Sequence, residues 1–539
     1  MFKLHLKYEG WILLTVFFIF FVNLDVLYIN LMEARNMLTA REMVDLNHWF
    51  LTTLDGLPRY EKPPLPTWIT ALFGWLFGFR SFMIMRLPAA LMSLLTVWMV
   101  YQFSQLIQLS KKQAFIAALI MASTFYLIFS GRTNQWDVYT HAFMLVAIFY
   151  LWKFFKEKSK GLNNVLLAAL FFGFSFMSKG PISLYTLWLP FLISYGFTYK
   201  FPSLKKKFPA ILLFLIIGFG IGLWWFIYVR WADPESFVAV MEQESSRWGN
   251  YNTRPFYYYW NFFIQTGVWT LPALIGLLYP YLKHRVSNKK AYTFTLLWTL
   301  SSVVLLSLVP EKKPRYLLPA LIPLAINTSF YIEYLFRKFK TLPKRESVVV
   351  YFNFGLIGLI GIAFPIGGYF ILDLHGKFWI WYGLSSLFLF GIGSLLWYFL
   401  ARKDIAKVFY LTIVLICGVM TLAYPLTDSF VHNPKANNIG QLHKKAKEEN
   451  FQVYEYGEFA PQVIWEYGEP IPQINPKDPQ FTSDRFGIIV QKDGLEFVDQ
   501  LKQDYHVITQ ERYDMNYVPD TKRGYKDWLV RYFFLLEKK

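Results

Sequence analysis

The sequence predicts a mainly α-helical, polytopic membrane protein, with about thirteen transmembrane helices and a soluble α/β domain at its C-terminus. Three observations predict it. Of 539 residues, 55% are hydrophobic and 17% are charged, whereas soluble domains carry about 25% charged residues. Apolar runs long enough to cross a hydrocarbon core of about 30 Å recur along most of the chain. Lys and Arg gather in short clusters between those runs.

The runs fall near 11–29, 84–108, 113–131, 134–155, 162–178, 181–199, 208–230, 262–282, 291–310, 315–336, 349–372, 378–400 and 406–426. The first follows Lys3 and Lys7. It is too long for the core of a signal peptide and has no small-residue cleavage site after it, so it reads as a retained helix. The fifth and sixth touch at Ser178-Lys179-Gly180-Pro181, where Gly ends one helix and Pro opens the next.

The connections sort into two sets. One is short and basic: Lys111-Lys112; Lys153, Lys156, Lys158 and Lys160; Lys205-Lys206-Lys207; Lys283, Arg285, Lys289 and Lys290; Arg337, Lys338, Lys340, Lys344 and Arg345; Arg402, Lys403 and Lys407. It recurs at every second connection, on the side of the N-terminus, and the positive-inside rule makes that side cytoplasmic. The net charge of +18 is therefore orienting charge, and nucleic acid is not an expected partner. The other set carries mixed charge, aromatics and prolines, and includes the long segments 30–83 and 231–261.

Thirteen crossings place the tail on the outer side. The expected division is a membrane domain over 1–427, with interfacial helices in its outer loop 30–83, and an outer (periplasmic) α/β domain over 428–539. In the tail, Gln441–Asn450 and Gly494–Gln503 read as helices, and Phe451–Tyr456, Phe486–Gln491 and Trp528–Leu536 as strands. The single cysteine, Cys417, lies in an apolar run and allows no internal disulfide.

Ionisable residues at or near membrane depth are costly and mark candidate sites. They gather in the outer loops. An amphipathic helix over 32–49 would set Glu33, Arg41 and Trp49 near one edge and lie in the interface. Arg59-Tyr60-Glu61-Lys62 supplies a cation, a hydroxyl, a carboxylate and an ammonium in four residues. An interfacial anchor is the plain alternative for that string. Asp137 opens the fourth run after Asn134. There a carboxylate also suits a helix N-terminus, with Asn134 as the cap. Lys179 sits in the two-helix turn, where snorkelling is the plain alternative. Arg247 and Arg254 lie in 231–261. Lys312, Lys313 and Arg315, beside Tyr316, put three cations where the charge rule disfavours them.

Arg35, Arg59, Lys62, Lys179, Arg247, Lys312, Lys313 and Arg315 together suit a phosphate, which Arg and Lys hold through charge-assisted hydrogen bonds. Glu33, Glu61 and Asp137 suit acid–base work or a divalent metal ion. The residues alone thus point to an outward-facing site for a phosphorylated lipid at the membrane surface.

Seven strings occur in the order Glu33-x-Arg35, Arg41-Glu42-Met43, Tyr60-Glu61-Lys62-Pro63, Asp137, Ser178-Lys179-Gly180, Arg254-Pro255-Phe256-Tyr257-Tyr258 and Lys313-Pro314-Arg315-Tyr316. This series resembles the C-type membrane glycosyltransferases of the protein-mannosyltransferase-like group, nearest to the bacterial branch that adds aminoarabinose to lipid A. The resemblance covers most of residues 10–335. It implies a polyprenyl-phosphate-linked sugar as donor, undecaprenyl phosphate in bacteria. The acceptor would be lipid A, another glycan or a protein, at the outer face of the inner membrane. It places the carrier phosphate near Lys62 and Arg247, with Arg59 and Lys179 in support, and the substrate or acceptor region at Arg35, Tyr60, Arg254, Lys312, Lys313, Arg315 and Tyr316. Glu61 falls in its metal-site region, Asp137 matches a candidate catalytic acid, and Glu33 matches the Glu of its first-loop Asp-Glu pair and is the residue left to take the catalytic role there. The protein is expected to act as a monomer.

Two departures stand out. The family's first loop usually carries an Asp-Glu pair, and here Met32 precedes Glu33. Asn252 stands where relatives often have a His. A lipid-linked sugar transporter is the rival expectation, with ionisable residues deep in helices and two pseudo-symmetric halves; a non-catalytic envelope scaffold is another.

Overall fold

The computed structural model describes residues 7–157, 161–202, 204–430, 433–457, 460–475 and 479–539; the side chains of 204–206, 247–249 and 430 lie outside that description. Lys158 and Lys160 of the second basic cluster, and the side chains of Lys205 and Lys206, therefore fall outside the described residues. The chain packs as two units. One comprises 1–25 with 60–426, the other 26–59 with 427–539.

The first unit is helical. Among the described residues, eight helices are long and apolar enough to cross a membrane: Phe82–Leu106, Trp136–Lys156, Leu162–Lys179, Lys207–Ala232, Lys289–Leu308, Lys344–Ile371, Phe378–Ala401 and Ile405–Ser429. A ninth is the pair Lys111–Ala122 and Phe125–Arg132, bent by 60° at the break. The break has a local cause. The Ser123 hydroxyl donates to the Leu119 carbonyl at 2.6 Å and that of Thr124 to Ile120 at 2.8 Å, which diverts helix carbonyls and bends the axis. Trp269 Nε1 donates to Ser123 Oγ and fixes the bend.

Four expected crossings are shorter, broken or buried. Tyr8–Phe20 is a 13-residue helix. The sixth run opens as a π-helix at Leu184–Trp188 before Leu189–Thr198. The eighth is 3-10 over Phe262–Trp269, kinks at Gly267 (φ 68°) and continues as Thr270–Gly276. The tenth is the helix Leu318–Lys338, buried along most of its length. Trp136–Lys156 lies at the centre of the bundle, whereas Lys207–Ala232, Lys344–Ile371 and Phe378–Ala401 are mostly uncovered and present the lipid-facing surface.

Two fully buried arginines brace this bundle. Arg132 donates to the carbonyls of Ile19, Val22 and Asn23, and Arg86 to that of Leu24. They satisfy carbonyls that the end of the first helix leaves without partners.

The second unit is built on a four-stranded sheet in the order Gln452–Tyr456, Arg485–Val490, Val530–Lys538, Tyr505–Asp514. The first two strands pair in parallel and the other pairings are antiparallel. Arg531 and Glu455, both wholly buried, pair at 2.9 Å between strands. The helix Leu31–Asp45 belongs here. Asn30 caps it through the amides of Met32 and Glu33, with Glu33 reaching back to Asn30. Arg41 stacks over Trp465 at 5.2 Å and donates to the Ile464 and Trp465 carbonyls. The helix is therefore enclosed by protein along most of its length, and it stops at Asp45, before Trp49. Glu42 accepts from the Thr53 hydroxyl and the Asp55 and Gly56 amides, fixing the small hairpin Thr53–Leu54 and Leu57–Pro58.

The expected tail strands and helices are present within one or two residues of their limits. The helix Pro461–Tyr467 and the strand Tyr505–Asp514 are additional. The strand is polar and lies at the sheet edge with half its side chains exposed, so it lacks the apolar alternation that marks a buried strand.

Candidate functional site

Within the helical unit, the antiparallel pair Trp136–Lys156 and Leu162–Lys179 brings two expected residues together. Asp137 lies in the first turn of one helix, and Lys179 is the last residue of the other. Gly180 then adopts φ 69°, which ends the helix. The Lys179 ammonium stands 2.5 Å from Asp137 Oδ1, with side-chain exposures of only 7% and 5%. Each charge is also favoured by the helix end it occupies, carboxylate at an N-terminus and ammonium at a C-terminus.

Around this pair lie further expected groups. The Lys179 ammonium also faces the Tyr316 ring at 5.1 Å. Arg315 lies within electrostatic reach of Asp137, and Lys62 within reach of the like-charged Lys179. Asp137 thus stands between Lys179 and Arg315, while Lys62 has its own carboxylate in Glu244. His141, one turn beyond Asp137 on the same helix, is buried, and its Nδ1 has no hydrogen-bond partner. Sequence reasoning missed it. The signal was the i, i+4 spacing of Asp137 and His141, which places both on one helix face.

Asn134 is not the cap. Gln135 occupies that position without a side-chain bond. Asn134 instead donates to Thr70 Oγ1 and the Met85 carbonyl and accepts from Tyr139. It spends its polar groups tying three segments together and leaves Asp137 to Lys179.

Lys62 pairs with Glu244 at 3.5 Å, both about a quarter exposed. Tyr60 donates to Asp233 Oδ2 at 2.8 Å, and Asp233 in turn accepts from the Ser236 amide. Glu61 is half-buried. The side chain of Arg247 falls outside the described residues.

A second cluster forms where 252–254 runs antiparallel to 310–312, through the Thr253–Glu311 bridge. Lys312 explains its own presence. Its ammonium is buried and donates to the carbonyls of Arg254, Val309 and Pro310, and burial lowers its pKa. Lys313 pairs with Glu311 at 2.5 Å, and Tyr316 donates to the same carboxylate oxygen. Arg254, Lys312, Lys313 and Arg315 line an open cavity of about 600 Å³ with Phe125 and Tyr126. Asn252 lines it too.

Glu33, Arg35 and Arg59 belong to the other unit. Glu33 is wholly buried in the capping box, beside half-buried Met32. Arg59 donates to the Arg35 carbonyl and Thr39 Oγ1, while its backbone pairs with Thr52. Among the described residues, no group of three or more His, Cys, Asp or Glu side chains is arranged to hold a metal ion.

Residues 61–225 match the family of dolichyl-phosphate-mannose-protein mannosyltransferases. Over 98% of its length, and 98% of the other chain, the structure superposes on that of ArnT from Cupriavidus metallidurans bound to undecaprenyl phosphate, with a TM-score of 0.70 and 15% identity. The chain has the fold of a C-type membrane glycosyltransferase. Two curated relatives from Proteus mirabilis, both named undecaprenyl phosphate-alpha-4-amino-4-deoxy-L-arabinose arabinosyl transferase, are 27% identical over 345 residues and 25% identical over 394. The first match spans 62% of this chain and 61% of the relative's length, the second 66% and 69%. In this glycosyltransferase fold the family match begins at Glu61 and takes in Lys62, Asp137 and Lys179.

Proposed function

We propose that this protein is an integral membrane glycosyltransferase that moves a sugar from undecaprenyl phosphate to a membrane lipid of the lipid A class, another glycan or a protein. The observation that carries the reading is the gathering of Lys179 and Arg315 about Asp137, with Lys62 within electrostatic reach of Lys179, in a chain with this fold. An excess of positive charge at low exposure suits an anionic ligand, and a carrier phosphate supplies one.

In the proposed step an acceptor oxygen attacks the anomeric carbon while the bond from that carbon to the carrier phosphate oxygen breaks. The electron pair leaves with the phosphate. Lys62 and Arg247, supported by Lys179, take up that negative charge, which is the main catalytic task. Asp137 is the carboxylate assigned to the acceptor's proton. Tyr60, Arg254, Lys312, Lys313, Arg315 and Tyr316 form the proposed acceptor region. Glu61 is the carboxylate assigned to a divalent cation. Glu61→Gln is then expected to raise the cation concentration needed for half-maximal transfer.

The proposed topology keeps thirteen crossings. The nine apolar helices, counting the bent pair as one, are joined by Tyr8–Phe20 and by the broken or buried segments at 184–198, 262–282 and 318–338. The N-terminus is then cytoplasmic and residues 428–539 periplasmic, in the bacterial inner membrane, with the protein a monomer. Cysteine-accessibility labelling at Lys62 and Lys112 positions, read from opposite sides of sealed vesicles, tests the orientation. Labelling of both from one side would refute it.

The functional test uses membranes loaded with labelled undecaprenyl-phosphate sugar. Asp137→Ala or Lys62→Ala is expected to abolish release of free carrier and labelling of the acceptor fraction. Undiminished transfer in both variants would remove the site assignment.

A further inference from the structure

At the end of the bundle where Tyr8–Phe20 begins, three helices leave a groove of about 1110 Å³. Its walls come from Tyr8–Phe20, Lys111–Ala122 and Ile405–Gly418. The three run the same way into the membrane. Tyr8 stacks on Phe115 at 4.9 Å and Phe115 meets Tyr410 at 6.1 Å, and higher-numbered residues of each helix line the groove further in. The groove has a polar mouth and an apolar interior. Lys7 and Lys111, both exposed, stand at the mouth. Among the described residues, Glu9 is the one carboxylate lining it, and it already accepts from the Tyr101 hydroxyl at 2.8 Å. Deeper in, Leu14, Phe18, Leu119, Val414 and Cys417 form the lining. From Lys7 to Phe18 the helical rise amounts to about 16 Å, close to the half-thickness of a hydrocarbon core, about 15 Å.

We propose that this groove binds one anionic phospholipid of the surrounding bilayer, its phosphate between Lys7 and Lys111 and an acyl chain along Leu14, Phe18 and Val414. Shape and charge select this occupant. An interior lined by side chains of this kind takes a hydrocarbon tail, and the two ammonium groups at the mouth outnumber the single engaged carboxylate, which favours a headgroup with net negative charge. A zwitterionic lipid fills the apolar part equally well but leaves the lysines uncompensated. The inference rests on the chain spanning a membrane, and not on its activity.

The test is native mass spectrometry of the full chain released from nanodiscs of equal parts phosphatidylglycerol and phosphatidylcholine. The wild-type chain is expected to retain one phosphatidylglycerol. Each lysine contributes about fivefold to affinity, as cations at a membrane surface do. Lys7→Gln/Lys111→Gln should therefore lower retention about 25-fold without changing phosphatidylcholine retention. Val414→Trp, which fills the groove from its exposed wall, should remove both adducts. Circular dichroism and sugar transfer should match wild type in all variants. Equal retention of the two lipids would overturn the proposal, as would variants that leave phosphatidylglycerol in place. Displacement of phosphatidylglycerol by added undecaprenyl phosphate would also overturn it, by making the groove a carrier site.

Discussion

Lys179 Nζ lies 2.5 Å from Asp137 Oδ1, joining the end of one buried helix to the start of the neighbour it packs against. Breaking a buried ion pair by removing one partner costs about 3–5 kcal/mol, because the remaining charge is stranded. Asp137→Ala should therefore lower thermal stability in detergent as well as transfer. The double variant Asp137→Asn/Lys179→Met strands no charge and should recover most of that stability, while transfer stays below about 1% of wild type. Restored transfer in the double variant would make the pair purely structural.

Glu244 occupies Lys62 in the free protein at 3.5 Å. An exposed pair of this kind contributes about 0–1 kcal/mol. If the carrier phosphate displaces Glu244, Glu244→Gln should lower KM for the lipid-linked donor by up to about fivefold, with stability unchanged. A raised KM would instead assign Glu244 a part in binding.

Lys312 serves the backbone through the three carbonyls it bonds. Lys312→Met should cost about 1–3 kcal/mol, since buried carbonyls lose their donor. Faster hydrogen exchange at the Arg254 and Lys312 amides would report the loosened pairing of 252–254 with 310–312.

Asp55, in the second unit, has its pKa raised from 3.8 to about 7, first by burial and then by the nearby carboxylates Glu455 and Glu42, against the Ile471 amide that it accepts from. The folded state then holds a proton that the unfolded state has lost between about pH 4 and 7. Stability of this unit should fall as pH rises through that window, by at most about 1.4 kcal/mol per pH unit, and level off above pH 7. Asp55→Asn keeps an acceptor for Ile471 and should flatten the profile, raising the melting temperature at pH 8. An unchanged slope in Asp55→Asn would assign the titration to another group.

The buried pair Arg531–Glu455 offers a parallel test in the sheet. Arg531→Leu should cost about 3–5 kcal/mol. Adding Glu455→Leu should return part of that, because burial already raises the pKa of Glu455 against the pull of Arg531.

Much of this architecture was legible in the sequence because lipid imposes a simple rule: long apolar helices with basic ends. The rule fails where helices break. Ser123 and Thr124 look unremarkable in an apolar run, yet their hydroxyls bend it by diverting carbonyls. Gly267 and the π-helical turn at Leu184–Trp188 likewise carry no signal in hydropathy. The helix at 31–45 was legible as a helix, through Asn30 and Glu33, but its surroundings were not, since its neighbour Pro461–Tyr467 lies more than 400 residues away in the chain. Within the site, the order of motifs singled out Lys62, Asp137 and Lys179. It did not show that Asp137 takes Lys179 as its partner, that His141 lies a turn away, or that Lys312 is committed to carbonyls. Such pairings depend on which helix ends meet, and spacing along the chain does not encode that.

The most direct test of the central claim is the rate of labelled-sugar transfer from undecaprenyl phosphate in proteoliposomes, comparing wild type with Lys62→Ala and Lys62→Arg. A cation that stabilises the departing phosphate predicts a loss of about 10²–10³-fold in kcat for Lys62→Ala, partial rescue by Lys62→Arg, and unchanged folding in both. Transfer by Lys62→Ala at the wild-type rate would contradict it.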